Sequence, residues 1–273
     1  MSAPAPRALG TALLAVLLGL WLLLPAALAA APASPAPVSP ALPQLFEQAL
    51  TASREGRFGD ALPLWEGVLE LAPEDAAAWS NRGNVLLALG DPEGAIAAQE
   101  RSMTLDPANP DPHLNRGTAE EALGRWQAAA ADYRWILERH PEDASALYNL
   151  GNVQGSLGDW PAARASFTAA AEARPGFAMA RSSAALAAFQ LGDAAGAERQ
   201  LRALIRRHPL FADARAALTA LLWRKGAAGE AESNWAAASG LDPRYRQEEW
   251  LRQIRRWPPE PVQALADFLA LAS

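Results

Sequence analysis

The chain has 273 residues, 24 of them Lys or Arg against 30 Asp or Glu, and no cysteine. Disulfides, thiolate metal sites and cysteine nucleophiles are therefore excluded. A net charge of −6, with basic residues that lack aromatic interleaving, argues against nucleic acid as a ligand.

Residues 1–29 read as an export signal. One basic residue, Arg7, precedes an apolar run at 8–24, then Pro25 and the small-residue site Ala27-Leu28-Ala29. A signal peptidase reads that order, so cleavage is expected after Ala29, with Ala31 as the other site. The alternative is an uncleaved anchor, because the apolar stretch at 8–31 is long enough for a span of roughly 20 residues. Membrane contact is then confined to this segment. Residues 30–41 are rich in Ala, Pro and Ser and predict an extended linker.

From residue 42 the chain is an array. Gly56, Gly90, Gly124, Gly158, Gly192 and Gly226 stand 34 residues apart, each followed by an alanine (Ala61, Ala95, Ala129, Ala163, Ala197, Ala231) and then a proline (Pro73, Pro107, Pro141, Pro175, Pro209, Pro243). Glycine permits the left-handed backbone that ends a first helix, and alanine lets a second helix pack closely. Proline cannot extend that second helix, but its fixed φ suits the start of the next element. Each unit is thus helix, turn, helix, turn, over 42–75, 76–109, 110–143, 144–177, 178–211 and 212–245. Residues 246–273 predict capping helices, with Trp250, Leu251, Ile254, Trp257, Leu265, Phe268 and Leu269 covering the apolar end of the stack.

So strict a spacing favours a stacked surface over a reaction centre. His140 and His208 fall in inter-unit turns, and His113 takes the slot of Trp79, where packing is expected. No two histidines share a helix face at metal spacing, and no nucleophile or phosphate motif is present, so neither enzyme activity, metal nor cofactor is expected. Glu120 and Glu121 are adjacent and point to different helix faces; Arg116, one turn before Glu120, predicts an ion pair with it. Charge is polarised: residues 42–177 hold 10 arginines against 20 acidic residues, and residues 178–273 hold 13 basic against 10 acidic. Either this field steers a dipolar partner or the charges are solvated outer faces.

The period and residue pattern resemble the tetratricopeptide repeat. Trp79, Gly83, Ala95 and Pro107 carry the resemblance in unit two, and Leu147, Leu150, Gly151, Ala163, Phe167, Ala170 and Pro175 in unit four. It extends over residues 42–245. Ala49, Ala185 and Thr219 replace the first glycine in units one, five and six, a position expected to set how closely neighbouring first helices approach. The resemblance implies an all-α helix-turn-helix solenoid, a right-handed superhelix of six repeats with a C-terminal helical cap. It also implies that the first helices line a concave groove that binds a protein or peptide.

On that basis the groove residues are Asn81, Asn84, Asn115, Thr118, Tyr148, Asn149, Asn152, Phe189 and Trp223. Asn81, Asn115 and Asn149 stand 34 apart, giving a ladder of amides suited to a peptide backbone, or else a local structural habit of the repeat. Phe189 and Trp223 are either an anchor pocket or the surface under the C-terminal segment. The cations of the carboxylate clamp that binds chaperone C-termini are missing, since its slots hold Ser80, Asn84, Asn115, Ser145 and Asn149. Blocks such as S-N-R-G-N at Ser80, D-P-H-L-N-R-G-T at Asp111 and R-R-W-P-P at Arg255 are similar to a tetratricopeptide family of cyanobacteria and chloroplast thylakoid lumens. That resemblance implies an adaptor in the thylakoid lumen or periplasm that helps assemble or maintain a membrane complex. The alternative is a periplasmic envelope factor working with cell-wall or outer-membrane machinery.

Overall fold

The structure, a computed structural model, describes residues 42–271; the expected signal and linker lie outside the described residues. Within them the chain is all-α, a helix-turn-helix solenoid without strands. Twelve helices alternate in pairs: α1 (Leu42–Arg54) with α2 (Phe58–Leu71), α3 (Ala76–Ala88) with α4 (Pro92–Leu105), and α5 (Asp111–Ala122) with α6 (Trp126–Arg139). They continue as α7 (Ala144–Ser156) with α8 (Trp160–Ala173), α9 (Ala178–Gln190) with α10 (Ala194–Arg207), and α11 (Ala212–Arg224) with α12 (Ala228–Leu241).

The glycine ladder ends each first helix. All six glycines have positive φ, between 69° and 86°. The residue after each donates its N–H back to the carbonyl five positions earlier, as Asp91 does to Leu86 and Asp159 to Gln154, both at 2.9 Å. This closes the helix on its own last carbonyls. The next helix then opens on a carboxylate cap in several units: Asp91 accepts from Gly94 N–H and Asp193 from Gly196 N–H, each at 2.9 Å. A cap of this kind contributes about 0.5–2 kcal/mol.

Packing inside a pair explains the second glycine ladder. A Cβ at Gly117 would lie 2.6 Å from the Tyr133 ring, and one at Gly151 2.7 Å from Phe167. These positions face the unit's own second helix, which corrects the expectation that they set the approach of neighbouring first helices. Neighbouring first helices nevertheless touch: α1 meets α3, α3 meets α5, α5 meets α7 and α9 meets α11, whereas second helices make no comparable contacts with one another. A stack drawn together on one side curves toward that side, so the first helices form its inner layer.

After α12 the chain makes a 3-10 turn (Pro243–Arg246), α13 (Glu248–Gln253) and α14 (Pro259–Leu271). α14 does not merely close the end of the stack. It folds back over α11 and α9, two helices of the inner layer. Val262 and Leu265 are fully buried there, with Leu251, Trp257 and Phe268 nearly so, in one core cluster with Leu186, Leu218 and Leu222. Ile254, expected to share the cap, is 68% exposed, because it sits at the end of α13 before the chain reverses. The reversal is at Arg256, whose φ of 52° is the one positive value at a non-glycine among the described residues.

Candidate functional site

The inner layer carries all nine residues expected to form the groove, and α14 divides it. Under α14, Phe189 is buried in the core cluster and Trp223 is packed edge-on against Phe268, with ring centroids 5.7 Å apart. Of the two readings of this pair, the structure has the surface beneath the C-terminal segment. Gln190 is engaged as well, accepting from Glu260 N–H at 2.8 Å, and Arg224 bonds Glu260 and Asp267 at 2.8 and 2.7 Å.

Ahead of α14, the first helices α3, α5 and α7 keep polar side chains at their surface. Their amides differ in what they have left to offer. Asn81 donates to the Ala77 carbonyl of its own helix at 2.9 Å, keeping its side-chain oxygen. Asn115 donates to Ser80 Oγ at 3.2 Å, linking α5 to α3, and Asn84 accepts from Gln99 Nε2 at 3.1 Å. Thr118 donates to the Leu114 carbonyl one turn back. Asn149 and Asn152 are half-buried, and their amides have no hydrogen-bond partner among the described residues. Beside them Tyr148 leans on Phe167 and Phe177, with centroids at 5.5 and 4.9 Å. The register of 34 thus holds in backbone position but not in bonding: of Asn81, Asn115 and Asn149, Asn149 alone has both amide functions free.

Two buried carboxylates, neither identified from sequence as a site, tie the C-terminal segment to this layer. Asp213 on α11 is 1% exposed, and its Oδ1 accepts from Arg255 at 2.7 and 2.9 Å, Tyr245 at 2.8 Å and Trp257 at 3.1 Å. Burial alone would raise this carboxyl; the Arg255 charge and the hydrogen bonds outweigh it and hold it below the usual carboxylate range. Glu121 on α5 is the other. It accepts from the Tyr133 hydroxyl and pairs with Arg256. Burial, then the neighbouring Glu121 charge, pushes the Tyr133 phenol up, so it stays a donor. The signal in the sequence was the pair Arg255-Arg256 beside Trp257, two cations set in a segment whose apolar residues were expected to be buried, and a buried cation needs a counter-charge.

His113 packs, as its slot suggested: it stacks on Trp135 with centroids 3.7 Å apart, and its Nδ1 lies 2.8 Å from Asp132. Arg116 does not pair with Glu120. It reaches Asp132 at 2.8 and 2.9 Å, because that carboxylate is buried between α5 and α6, while Glu120 lies 3.5 Å from Arg125. Among the described residues no group of three or more His, Asp or Glu could hold a metal ion, and no helix is long and apolar enough to cross a membrane.

Comparison with known proteins gives a consistent likeness. A family model described as Tetratricopeptide repeat matches residues 46–110, 114–178, 148–201 and 182–245. The fold is similar to a tetratricopeptide repeat protein from Parabacteroides merdae ATCC 43184, with a TM-score of 0.61 at 17% identity over 84% of this chain and 98% of that one. It is also similar to YrrB, described as a TPR protein with an unusual peptide-binding site, at a TM-score of 0.53 and 21% identity over 66% and 92%. A third is MamA from Desulfovibrio magneticus RS-1, at a TM-score of 0.55 and 16% identity over 60% and 93%. At such identities the likeness carries the fold alone. No curated protein matches the sequence.

Proposed function

Because this chain belongs to the tetratricopeptide repeat family, we propose that it is a non-catalytic adaptor that holds an extended protein segment across α3, α5 and α7. The observation that carries the reading is the contrast along the inner layer: α14 fills it at α9 and α11, while Asn84, Asn149 and Asn152 present amide groups with bonding capacity to spare. An amide offers donor and acceptor together, the pair a peptide backbone needs. The peptide-binding site ascribed to YrrB supports the class of ligand.

Replacing Asn81, Asn115 and Asn149 together by alanine tests it. Each hydrogen bond lost to a bound peptide is worth about 0.5–1.5 kcal/mol, so affinity for a partner recovered by crosslinking should fall at least about tenfold. Asn149→Ala should have the largest single effect, since its amide is the one not already bonded within the chain. The control is Glu66, Glu100 and Arg134 replaced together on the outer face; these side chains are exposed, and their loss should alter salt dependence at most. Full affinity in the asparagine variant, or its unfolding, makes the ladder a structural habit of the repeat.

The proposal extends to place. The signal-like order of residues 1–29 supports export. The resemblance of the blocks at Ser80, Asp111 and Arg255 supports a thylakoid lumen or periplasm as the destination and a role in assembling or maintaining a membrane complex there. Terminal sequencing of the native protein should find a chain starting near Ala30. An intact amino terminus on a protein that resists carbonate extraction would instead establish an anchor.

A further inference from the structure

Glu121 stands on the inner-layer helix α5, one turn after Thr118, and is 7% exposed. Such a carboxylate requires a partner, and this one pairs with a cation that an aromatic ring also faces. One oxygen accepts from the Tyr133 hydroxyl, which fixes the group; the other pairs with the Arg256 guanidinium, whose carbon lies 5.4 Å from the centroid of the Trp126 ring. Carboxylate and ring together suit a planar, weakly hydrated guanidinium better than an ammonium.

The occupant is loosely held compared with its neighbour. Arg255 is 12% exposed at its side chain and bound to the fully buried Asp213, whereas the Arg256 side chain is 28% exposed. Asp213, Trp257 and α14 hold the segment in place, so Arg256 can withdraw its side chain without releasing the helix behind it. Its backbone is informative too. At φ 52° a glycine would sit unstrained, and a bulky residue kept in that conformation points to use of its side chain. The site also borders the open amides: Thr118 lies one turn before Glu121 on α5, and α7 with Asn149 and Asn152 packs alongside.

We propose that Glu121, Tyr133 and Trp126 form a guanidinium-recognition site of the groove, held by the chain's own Arg256 until an arginine of an extended partner peptide takes its place. This rests on the reading that the groove binds a peptide, and it adds the partner's chemistry. Exchange of one guanidinium for another leaves no buried carboxylate unpaired, so entry of the partner requires no uncompensated charge.

The test uses the full chain and the peptide acetyl-Ala-Ala-Arg-Ala-Ala-amide, with its lysine counterpart, titrated while the Trp126 indole N–H resonance is followed by NMR. That resonance is assigned by its loss in Trp126→Phe. Arg256→Gly vacates the site and relaxes the turn; it should bind the arginine peptide at least about tenfold more tightly than the native chain. The lysine peptide should bind at least about fivefold more weakly, and adding Glu121→Gln should abolish the gain. Equal affinities for native and Arg256→Gly chains, or for arginine and lysine peptides, overturn the site. If Arg256→Gly does not fold, Arg256→Gln serves for the same comparison. The triple asparagine variant in the Arg256→Gly background separates the two readings. Affinity kept there but lost with Glu121→Gln upholds the guanidinium site and overturns the amide ladder, and the reverse pattern does the opposite.

Discussion

Asp213→Ala is expected to destabilise the protein by about 3–5 kcal/mol, because it leaves Arg255 buried without its counter-charge. The same change strips the acceptor from Tyr245 and Trp257. Asp213→Asn keeps an acceptor but not the charge, so its effect should be smaller. The acid limb of the stability profile gives an independent check. The folded-state carboxyl is depressed, so its contribution is present above the unfolded value near ~3.9 and is lost as pH falls through the lower folded value. Below about pH 4 the native chain should therefore lose part of its advantage over Asp213→Asn. Thermal melts of both proteins across that range measure the difference; parallel profiles would mean that Asp213 is not ionised in the folded state.

Deleting residues 246–273 should have the larger effect. The segment buries Leu251, Trp257, Val262, Leu265 and Phe268, each worth roughly 1.5–3 kcal/mol before the entropy of ordering it is subtracted. Its removal also bares Leu186, Phe189, Leu218 and Leu222, and leaves Asp213 without its cation. In a stack where each unit leans on its neighbours, the loss should concentrate in α9 to α12. Hydrogen exchange should show those helices opening while α1 to α6 keep their protection, and the melting midpoint should drop by on the order of 10 °C. A truncated chain that stays monomeric and melts with the native one would show that α14 adds nothing to the fold.

Much of the solenoid was legible because its determinants are local and repeated. Glycine at the end of each first helix, alanine in the second and proline in the turn after it act within a few residues and recur in every unit, and in several units a carboxylate cap between the two helices adds to them. What could not be read was set by single, long-range contacts. Asp213 occupies the slot of Ser145 and Met179 in other units, and nothing in its neighbourhood indicates a partner 42 residues away. Arg256 and Glu121 are 135 residues apart. The apolar residues of α14 were recognisable as a cover, but their period does not say which surface they cover. Likewise the three asparagines share a register, yet Ser80 beside one and the Ala77 carbonyl beside another decide how much of each amide remains.

The fold-back of α14 also bears on how long a bound segment can be. Packed helices lie about 8–10 Å apart, so α3, α5 and α7 offer a run of roughly 20 Å, and an extended chain at about 3.3 Å per residue crosses it in roughly six residues. Beyond α7 the inner layer is already occupied at α9 and α11. A peptide held as proposed would meet α14 and be turned outward there, so the helix would act as a stop that sets one limit of the bound stretch while the α1 side stays open.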